Sequence, residues 1–339
     1  VWPVSWEYVE NEDIEKDLRQ LKILVIGCGG GGCNSINRLS DLGLKGAETI
    51  AINTDRRHLA RIKADKRLLI GASLTKGFGA GGDPELGRVC AENAFEPLNE
   101  ILCDADLTFV IAGLGGGTGT GSAPFVADLA RRNGSLVFSI ATMPFECEGR
   151  RVDIATRGLW QLERFSDTLL ILDNNRLLEM VPHLPVDQAF GVMDQLISEI
   201  VKGITEAITE PSLINIDFSD LRAIFRQRGI STVLYGENSD PDSVVKDALS
   251  NPFLDIDFTG ATGALIHITG GSNLTLKRVT RVVEGITAFL DPQANVILGA
   301  RVDDDCEGVI RVIAVITGIE EIDESGDLET IGGHLMTAY

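Results

Sequence analysis

From Lys22 onward, short runs of apolar and β-branched residues alternate with amphipathic stretches. The runs are Ile23 to Ile26, Thr49 to Ile52, Leu68 to Ile70, Leu107 to Ala112, Leu136 to Ala141 and Leu169 to Leu172. Runs of this kind, separated by helical patterns, predict parallel strands covered on both faces, so residues 21–186 read as a doubly wound parallel-sheet α/β domain. The period then changes. Phe190, Met193, Leu196, Ile197, Ile200, Val201, Ile204, Ala207 and Ile208 recur at helical spacing, which predicts one long central helix over 187–210, buried along a broad stripe and stopped by Pro211. After a loop over 211–220, a helical segment from Asp220 leads to strand-like runs at Thr232 to Tyr235, Ala264 to Thr269, Asn295 to Leu298 and Val309 to Thr317, with a helical pattern around Leu276 to Phe289. Residues 221–320 are therefore expected to form a smaller α+β domain. The ends are acidic: 1–20 is an arm whose cluster of Trp2, Trp6, Tyr8 and Val9 either packs or frays, and 321–339 reads as a poorly ordered tail.

Composition narrows the function. A chain of 339 residues, 44% of them hydrophobic, can bury more than one core. Its 30 Lys+Arg against 50 Asp+Glu give a net charge of −20, which repels nucleic-acid phosphates and anionic membranes, so no nucleic-acid partner is expected. The 6 cysteines show no CxxC pair and no histidines at metal-ligand spacing, which argues against a disulfide framework or a zinc site and fits a reducing cytoplasm. Leu107 to Ala127 is uncharged and long enough to span a bilayer, but its polar Gly/Thr run makes it a buried strand and a loop, and no direct membrane insertion is expected. No signal-peptide pattern opens the chain, and its start at Val1 is read as a trimmed end. None of the 4 histidines (His58, His183, His267, His334) joins a recognisable catalytic group, so each is read as a surface or satisfied structural residue.

The chemistry lies in two glycine loops. The first strand ends in Gly27-Cys28-Gly29-Gly30-Gly31-Gly32-Cys33-Asn34, and an amphipathic helix carrying Ile36, Leu39 and Leu42 follows at once. Glycines let the backbone approach an anion, and the free amides at a helix start, reinforced by the macrodipole, hold a phosphate without a side-chain cation. Alone, Gly27, Gly29 and Gly32 also satisfy GxGxxG. Asp55 then stands where a dinucleotide fold carries its ribose-binding acid, so an NAD-dependent oxidoreductase is the rival reading, and a ligand-free glycine turn the plainest one. A second loop, Gly113-Leu114-Gly115-Gly116-Gly117-Thr118-Gly119-Thr120-Gly121-Ser122, follows the strand Leu107 to Ala112 and leads into another helix. Two phosphate loops on one sheet suggest a triphosphate. No Gly-Lys dipeptide occurs, which excludes a Walker P-loop, so backbone amides and metal must hold the phosphates.

Gly115 to Gly121 reads GGGTGTG, the signature of the tubulin and FtsZ superfamily. Asn53-Thr54-Asp55, Gly77-Phe78-Gly79-Ala80-Gly81, Pro144-Phe145-Glu146-Cys147-Glu148-Gly149 and Asn215-Ile216-Asp217-Phe218-Ser219-Asp220 follow the family order. From about Leu21 to Ile319 the chain resembles the FtsZ branch of that superfamily, and tubulins with their close archaeal relatives less well. The resemblance implies a tubulin/FtsZ-like fold with a GTPase domain at 21–186, GTP and GDP as ligands with Mg2+, hydrolysis in the polymer, and a head-to-tail homopolymer. It further implies a cytoplasmic protein at a mid-cell division ring, with membrane-tethering division proteins as partners.

Carried over by match, Gly30, Gly31, Gly32, Cys33 and Asn34 would line the phosphates and base, and Gly79, Ala80 and Gly81 would join them. Gly116, Gly117, Thr118, Gly119 and Thr120 would take the outer phosphates, Glu148 the ribose, and Asn174 and Asp194 the guanine. A carboxylate that accepts from the ring N–H and the exocyclic amine selects guanine over adenine. The plainer readings are a turn residue for Asn174 and a solvated helix position for Asp194. Two positions depart from the family pattern. Cys33 stands where a further glycine is usual, and Val152 replaces a basic residue whose part Arg150 or Arg151 would take. Asn215, Asp217 and Asp220 form the catalytic set, two carboxylates suited to orienting water, although Asp220 is equally placed to cap a helix. If Asp194 meets the base, about fifteen helical residues at ~1.5 Å each place that loop ~23 Å further along, out of reach of the chain's own γ-phosphate. The acids would then serve the next subunit's nucleotide in an open, head-to-tail filament. A filament scaffold that binds GTP without turnover is the third reading, and Asp217 and Asp220 speak against it.

Overall fold

The computed structural model describes residues 21–210, 212–226, 230–250, 257–303 and 306–319; the arm at 1–20, Pro211 and the tail at 321–339 lie outside them. In chain order the elements are β1 (Ile23–Cys28), α1 (Gly29–Asp41), β2 (Glu48–Asn53), α2 (Arg56–Leu59), β3 (Lys66–Leu69), α3 (Ala72–Thr75), α4 (Pro84–Glu92) and α5 (Phe95–Leu102). There follow β4 (Leu107–Gly113), α6 (Thr118–Arg132), β5 (Leu136–Met143), a 3₁₀ turn (Glu146–Glu148), α7 (Arg150–Phe165), β6 (Thr168–Asp173), α8 (Asn175–Met180) and the long α9 (Val186–Thr209). The last are α10 (Phe218–Phe225), β7 (Ile230–Asn238), α11 (Pro241–Leu249), β8 (Gly263–Gly270), α12 (Leu276–Thr287), β9 (Asn295–Val302) and β10 (Ile310–Ile319).

Among the described residues the strands make one sheet of 10, ordered β3-β2-β1-β4-β5-β6-β7-β10-β8-β9. From β3 to β6 every pairing is parallel. Buried side chains alternate across it with the period of 2 that a pleated strand imposes. Ile23 and Val25 of β1, with Leu107, Phe109 and Ile111 of β4, face one core together with α1, α9 and α10. Leu24, Ile26, Val110 and Ala112 face a second core beneath α4, α5, α6 and α7. Both faces are covered, which is why these strands read as continuous apolar runs.

Among the described residues, Leu169↔Ile230 and Leu170↔Ser231 are the pairs that join β6 to β7, and this junction is narrow. What ties the halves is α9. Met193, Ile197, Ile200, Val201 and Ile204 fall on its buried stripe and share a core with Phe138 and Leu170 on one side and Leu265, Ile313 and Val315 on the other. Each such side chain contributes roughly 2 kcal/mol of burial. The opposite face of β8 and β10 packs on α11 and α12 in a third core. The strands predicted at Thr232 to Tyr235, Ala264 to Thr269, Asn295 to Leu298 and Val309 to Thr317 all form, but they extend the first sheet rather than standing apart from it.

Candidate functional site

The crossover order places β1 directly beside β4, with Cys28 opposite Ala112, so the two glycine loops leave the sheet at the same edge. They pack backbone on backbone. Gly29 has φ +73, and a Cβ there would lie 2.5 Å from Gly119 N; a Cβ on Gly119 would lie 2.6 Å from Gly113 O. No other residue allows that approach. Above the loops opens a cleft of about 680 Å³.

Two of the helices that start at the cleft, α1 and α6, start without a side-chain cap. α1 follows Cys28 and α6 follows Gly117, and neither residue supplies an acceptor to the first turn. Elsewhere Asp217, Asp240 and Thr275 accept from the first-turn N–H groups of α10, α11 and α12. At the cleft those amides stay open, in a concave site with two helix dipoles directed into it. That is an anion cradle built without lysine. The Thr54 and Thr118 hydroxyls, hydrogen-bonded at 2.6 Å, join the end of β2 to the second loop.

The other end of the cleft is carboxylate-rich. Asp194, in the first turns of α9, accepts from Ser35 Oγ at 2.6 Å, and burial pushes its pKa up to about 6 against the opposing pull of that hydrogen bond and of Arg38. Glu148 accepts from Phe145 N at 3.0 Å through Oε1, while Oε2 pairs with Arg151, whose Nε also donates to Gly115 O at 3.4 Å. Phe190 of α9 stacks edge-on with Phe145 at 5.7 Å, which closes this wall. Asn174 sits at the head of α8, its backbone N–H donating to Met143 O at 3.3 Å. One end thus offers amide donors to an anion. The other offers carboxylate acceptors beside an aromatic wall to something planar that donates.

Comparison with known proteins agrees with that chemistry. The sequence model described as "Tubulin/FtsZ family, GTPase domain" matches residues 22–182, and "FtsZ family, C-terminal domain" matches 229–320. "Cell division protein FtsZ 2" of Methanocaldococcus jannaschii is 53% identical over 313 residues, 91% of this chain and 82% of that protein. The chain belongs to the FtsZ family. A second relative in the family, "Cell division protein FtsZ 2" of Halobacterium salinarum, is 50% identical over 302 residues, 88% of this chain and 77% of that protein. The solved "FtsZ dimer, empty (M. jannaschii)" superposes with a TM-score of 0.85 at 44% identity, covering 92% of this chain and 93% of that one. An FtsZ-family chain of this kind is a cell-division GTPase that binds GTP and GDP, and the oxidoreductase reading falls. Asp55, the acid on which that reading rested, is turned into its own helix, accepting from Arg57 N and His58 N to cap α2.

Of the residues singled out by their match to the family, the cleft brings together Gly30, Gly31, Gly32, Asn34, Gly79, Ala80, Gly81, Gly116, Gly117, Thr118, Gly119, Glu148, Arg151, Asn174 and Asp194. It does not bring in Cys33 or Thr120. α1 begins at Gly29, so Cys33 already lies a turn inside the helix on its core side, fully buried, with Sγ 3.5 Å from Ile52 O. Burial pushes its thiol well above the ordinary range. Thr120 is buried likewise and holds the second loop by accepting from Gly115 N at 2.9 Å. Of the two arginines proposed in place of a basic residue at Val152, Arg151 lines the cleft. Sequence reasoning missed Ser35, Phe190 and His58. The sequence reads His58 as a surface or satisfied structural residue, yet it lines the cleft, hydrogen-bonded to Asn34 and Asn53.

Asn215, Asp217 and Asp220 are absent from the cleft wall. They lie past the C-terminal end of α9, where a bridge between Ile214 and Ala300 holds the loop to β9. Ile216 is buried against Gly299, while Asn215 and Asp217 are exposed on either side of it. Asp217, not Asp220, caps α10: one of its carboxylate oxygens accepts from Asp220 N at 2.8 Å and Ser219 Oγ at 2.7 Å, and these bonds hold its pKa below the usual carboxylate range. Asp220 stands in the first turn of that helix with its carboxylate uncommitted to the cap. Among the described residues no group of three or more His, Cys, Asp or Glu forms a cation cage.

Proposed function

We propose that the cleft binds GTP, with the phosphates on the open amides of α1 and α6 and the guanine against Asp194, and that hydrolysis occurs only at the junction of two chains stacked head to tail. The observation that carries this reading is the exclusion of Asn215, Asp217 and Asp220 from a cleft that gathers nearly every other family-matched residue. α9 separates the two sets. The roughly fifteen residues from Asp194 to its end at Thr209 rise ~23 Å at ~1.5 Å each, and the acidic loop lies beyond that end. A heterologous contact that brings one chain's acidic loop to its neighbour's cleft leaves free ends and grows a filament.

The parts then have distinct tasks. The neighbour's Asp220 accepts the proton of the attacking water, Asp217 holds the turn that presents it, and the two helix starts take up charge on the phosphates. Mg2+ is proposed as the companion of the triphosphate, lending charge neutralisation, and no task of the chain's own residues depends on it. Apolar side chains stand ready at both ends for the contact: Phe78 is 72% exposed on the rim that carries Gly79 to Gly81, and Leu213 is 68% exposed beside the acidic loop. The dimer named in the M. jannaschii structure supports self-association of this family. Placement at a mid-cell division ring, with a tethering partner at the membrane, completes the proposal; among the described residues no helix is long and apolar enough to cross a membrane.

The test couples assembly to turnover. Asp220→Ala should bind GTP with normal affinity and lose about 10²-fold or more in turnover. In the unaltered chain, specific activity should climb steeply above the concentration at which polymer pellets. Equal activity per chain in dilute monomer would refute the junction, and normal turnover in the variant would refute the role of Asp220.

A further inference from the structure

His58 has no task in the reading above, and the hydrogen bonds around it supply one. Asn53 Oδ1 accepts from the backbone N–H of Thr54 at 2.8 Å and of Asp55 at 3.2 Å. A side-chain amide carries one acceptor oxygen and one NH2 donor, so two backbone donors on the oxygen decide which way Asn53 faces. Its Nδ2 is then the atom 3.2 Å from His58 Nδ1. Nδ2 donates, so Nδ1 accepts and the neutral ring carries its proton on Nε2. Nε2 lies 3.0 Å from Asn34 Oδ1 and donates to it. With Oδ1 held by the ring, Nδ2 is the group Asn34 has left to offer the cleft it lines. Orientation passes from the main chain after β2, through Asn53 and His58, to a donor in the wall of the site.

We propose that His58 is a positioning residue for guanine recognition: locked by Asn53 as the Nε2–H tautomer, it holds Asn34 with its NH2 turned to the base end of the cleft, opposite the carboxylate of Asp194. The inference rests on the assignment of GTP to this cleft. Ser35, next to Asn34 in α1, is itself bonded to Asp194, and Asn34 and Asp194 both line the cleft. Guanine matches that pair, with N1–H and the exocyclic amine as donors and O6 and N7 as acceptors. Adenine offers an unprotonated N1 and an amine in place of O6, and mismatches it. A rotated Asn34 would set its oxygen against O6 or N7 and weaken the discrimination.

The experiment titrates GTP and ATP into the full chain and into three variants, with thermal melting as a control for folding. His58→Ala frees Asn34 to rotate and should lower GTP affinity about fivefold to tenfold, the size of one lost orienting hydrogen bond. His58→Gln carries an acceptor oxygen and an NH2 at much the same spacing as the two ring nitrogens, and should restore most of that loss. His58→Glu offers two acceptors, should turn the Asn34 oxygen toward the cleft, and should weaken GTP at least as far as the alanine variant while narrowing the preference over ATP. Equal GTP affinity in the alanine and glutamine variants would overturn the relay, whether both are normal or both weak. Failure of the unaltered chain to bind GTP would instead overturn the reading of the cleft, and the relay with it.

Discussion

In the proposed site Asp194 would act in opposite directions on folding and on binding. Burial raises its pKa to about 6, so between the ordinary carboxylate value and 6 the folded chain holds a proton that the unfolded chain has released. The stability this contributes is present in acid and is lost as pH rises through about 6; above that, the ligand-free chain carries a poorly solvated charge. A guanine that donates two N–H groups needs that same charge. GTP affinity should therefore fall about tenfold between pH 7 and pH 5, with a proton released on binding at the lower pH. Asp194→Asn should abolish the pH step and bind GTP weakly throughout. Above pH 6 the ligand-free variant should be more stable than the parent by about 1–2 kcal/mol. Calorimetry in buffers of different ionisation enthalpy, with melting curves, measures both. An affinity independent of pH would remove Asp194 from the base end.

At the scale of elements, glycine has two tasks that composition does not separate. A Cβ on Gly121 of α6 would strike Pro84 O of α4, and one on Gly87 of α4 would strike Gly117 O, so these glycines set how closely α4 lies on α6. A Cβ on Gly30 would meet nothing within 4 Å, because Gly30 faces the cleft. Gly121→Ala should therefore cost about 2–3 kcal/mol of stability by overpacking and weaken GTP binding as a consequence. Gly30→Ala should leave stability within about 0.5 kcal/mol and still weaken GTP binding. Melting temperatures set beside GTP affinities separate the two classes, and a strongly destabilised Gly30 variant would contradict the open placement. The strands and the long helix were legible because period 2 and period 3.6 are local. The start of α1 was not: glycines carry no periodicity, so the pattern reads 29–34 as loop and Cys33 as a phosphate neighbour, whereas Cys33 lies a turn into the helix, in the core.

For the whole molecule the net charge of −20 bears on assembly. Stacked chains repel one another, and the Debye length falls from about 10 Å at 0.1 M to about 3 Å at 1 M salt. With GTP present, the critical concentration for pelleting should therefore drop as potassium chloride is raised over that range. A rise would mean that ion pairs rather than apolar contacts such as those of Phe78 and Leu213 hold the junction.

The doubly wound sheet, the two glycine loops, the lack of a Gly-Lys dipeptide and the family can all be read along the chain, because each depends on neighbouring residues or on the order of short motifs. That those loops share one cleft follows from the folded arrangement, since it depends on β1 lying beside β4 rather than beside β3. The folded arrangement also decides that Asp217 caps a helix while Asp220 does not, and that His58 faces the site through Asn34. Each of those outcomes turns on the direction of a side chain relative to residues distant in the chain, and direction is set by packing, which local pattern does not encode.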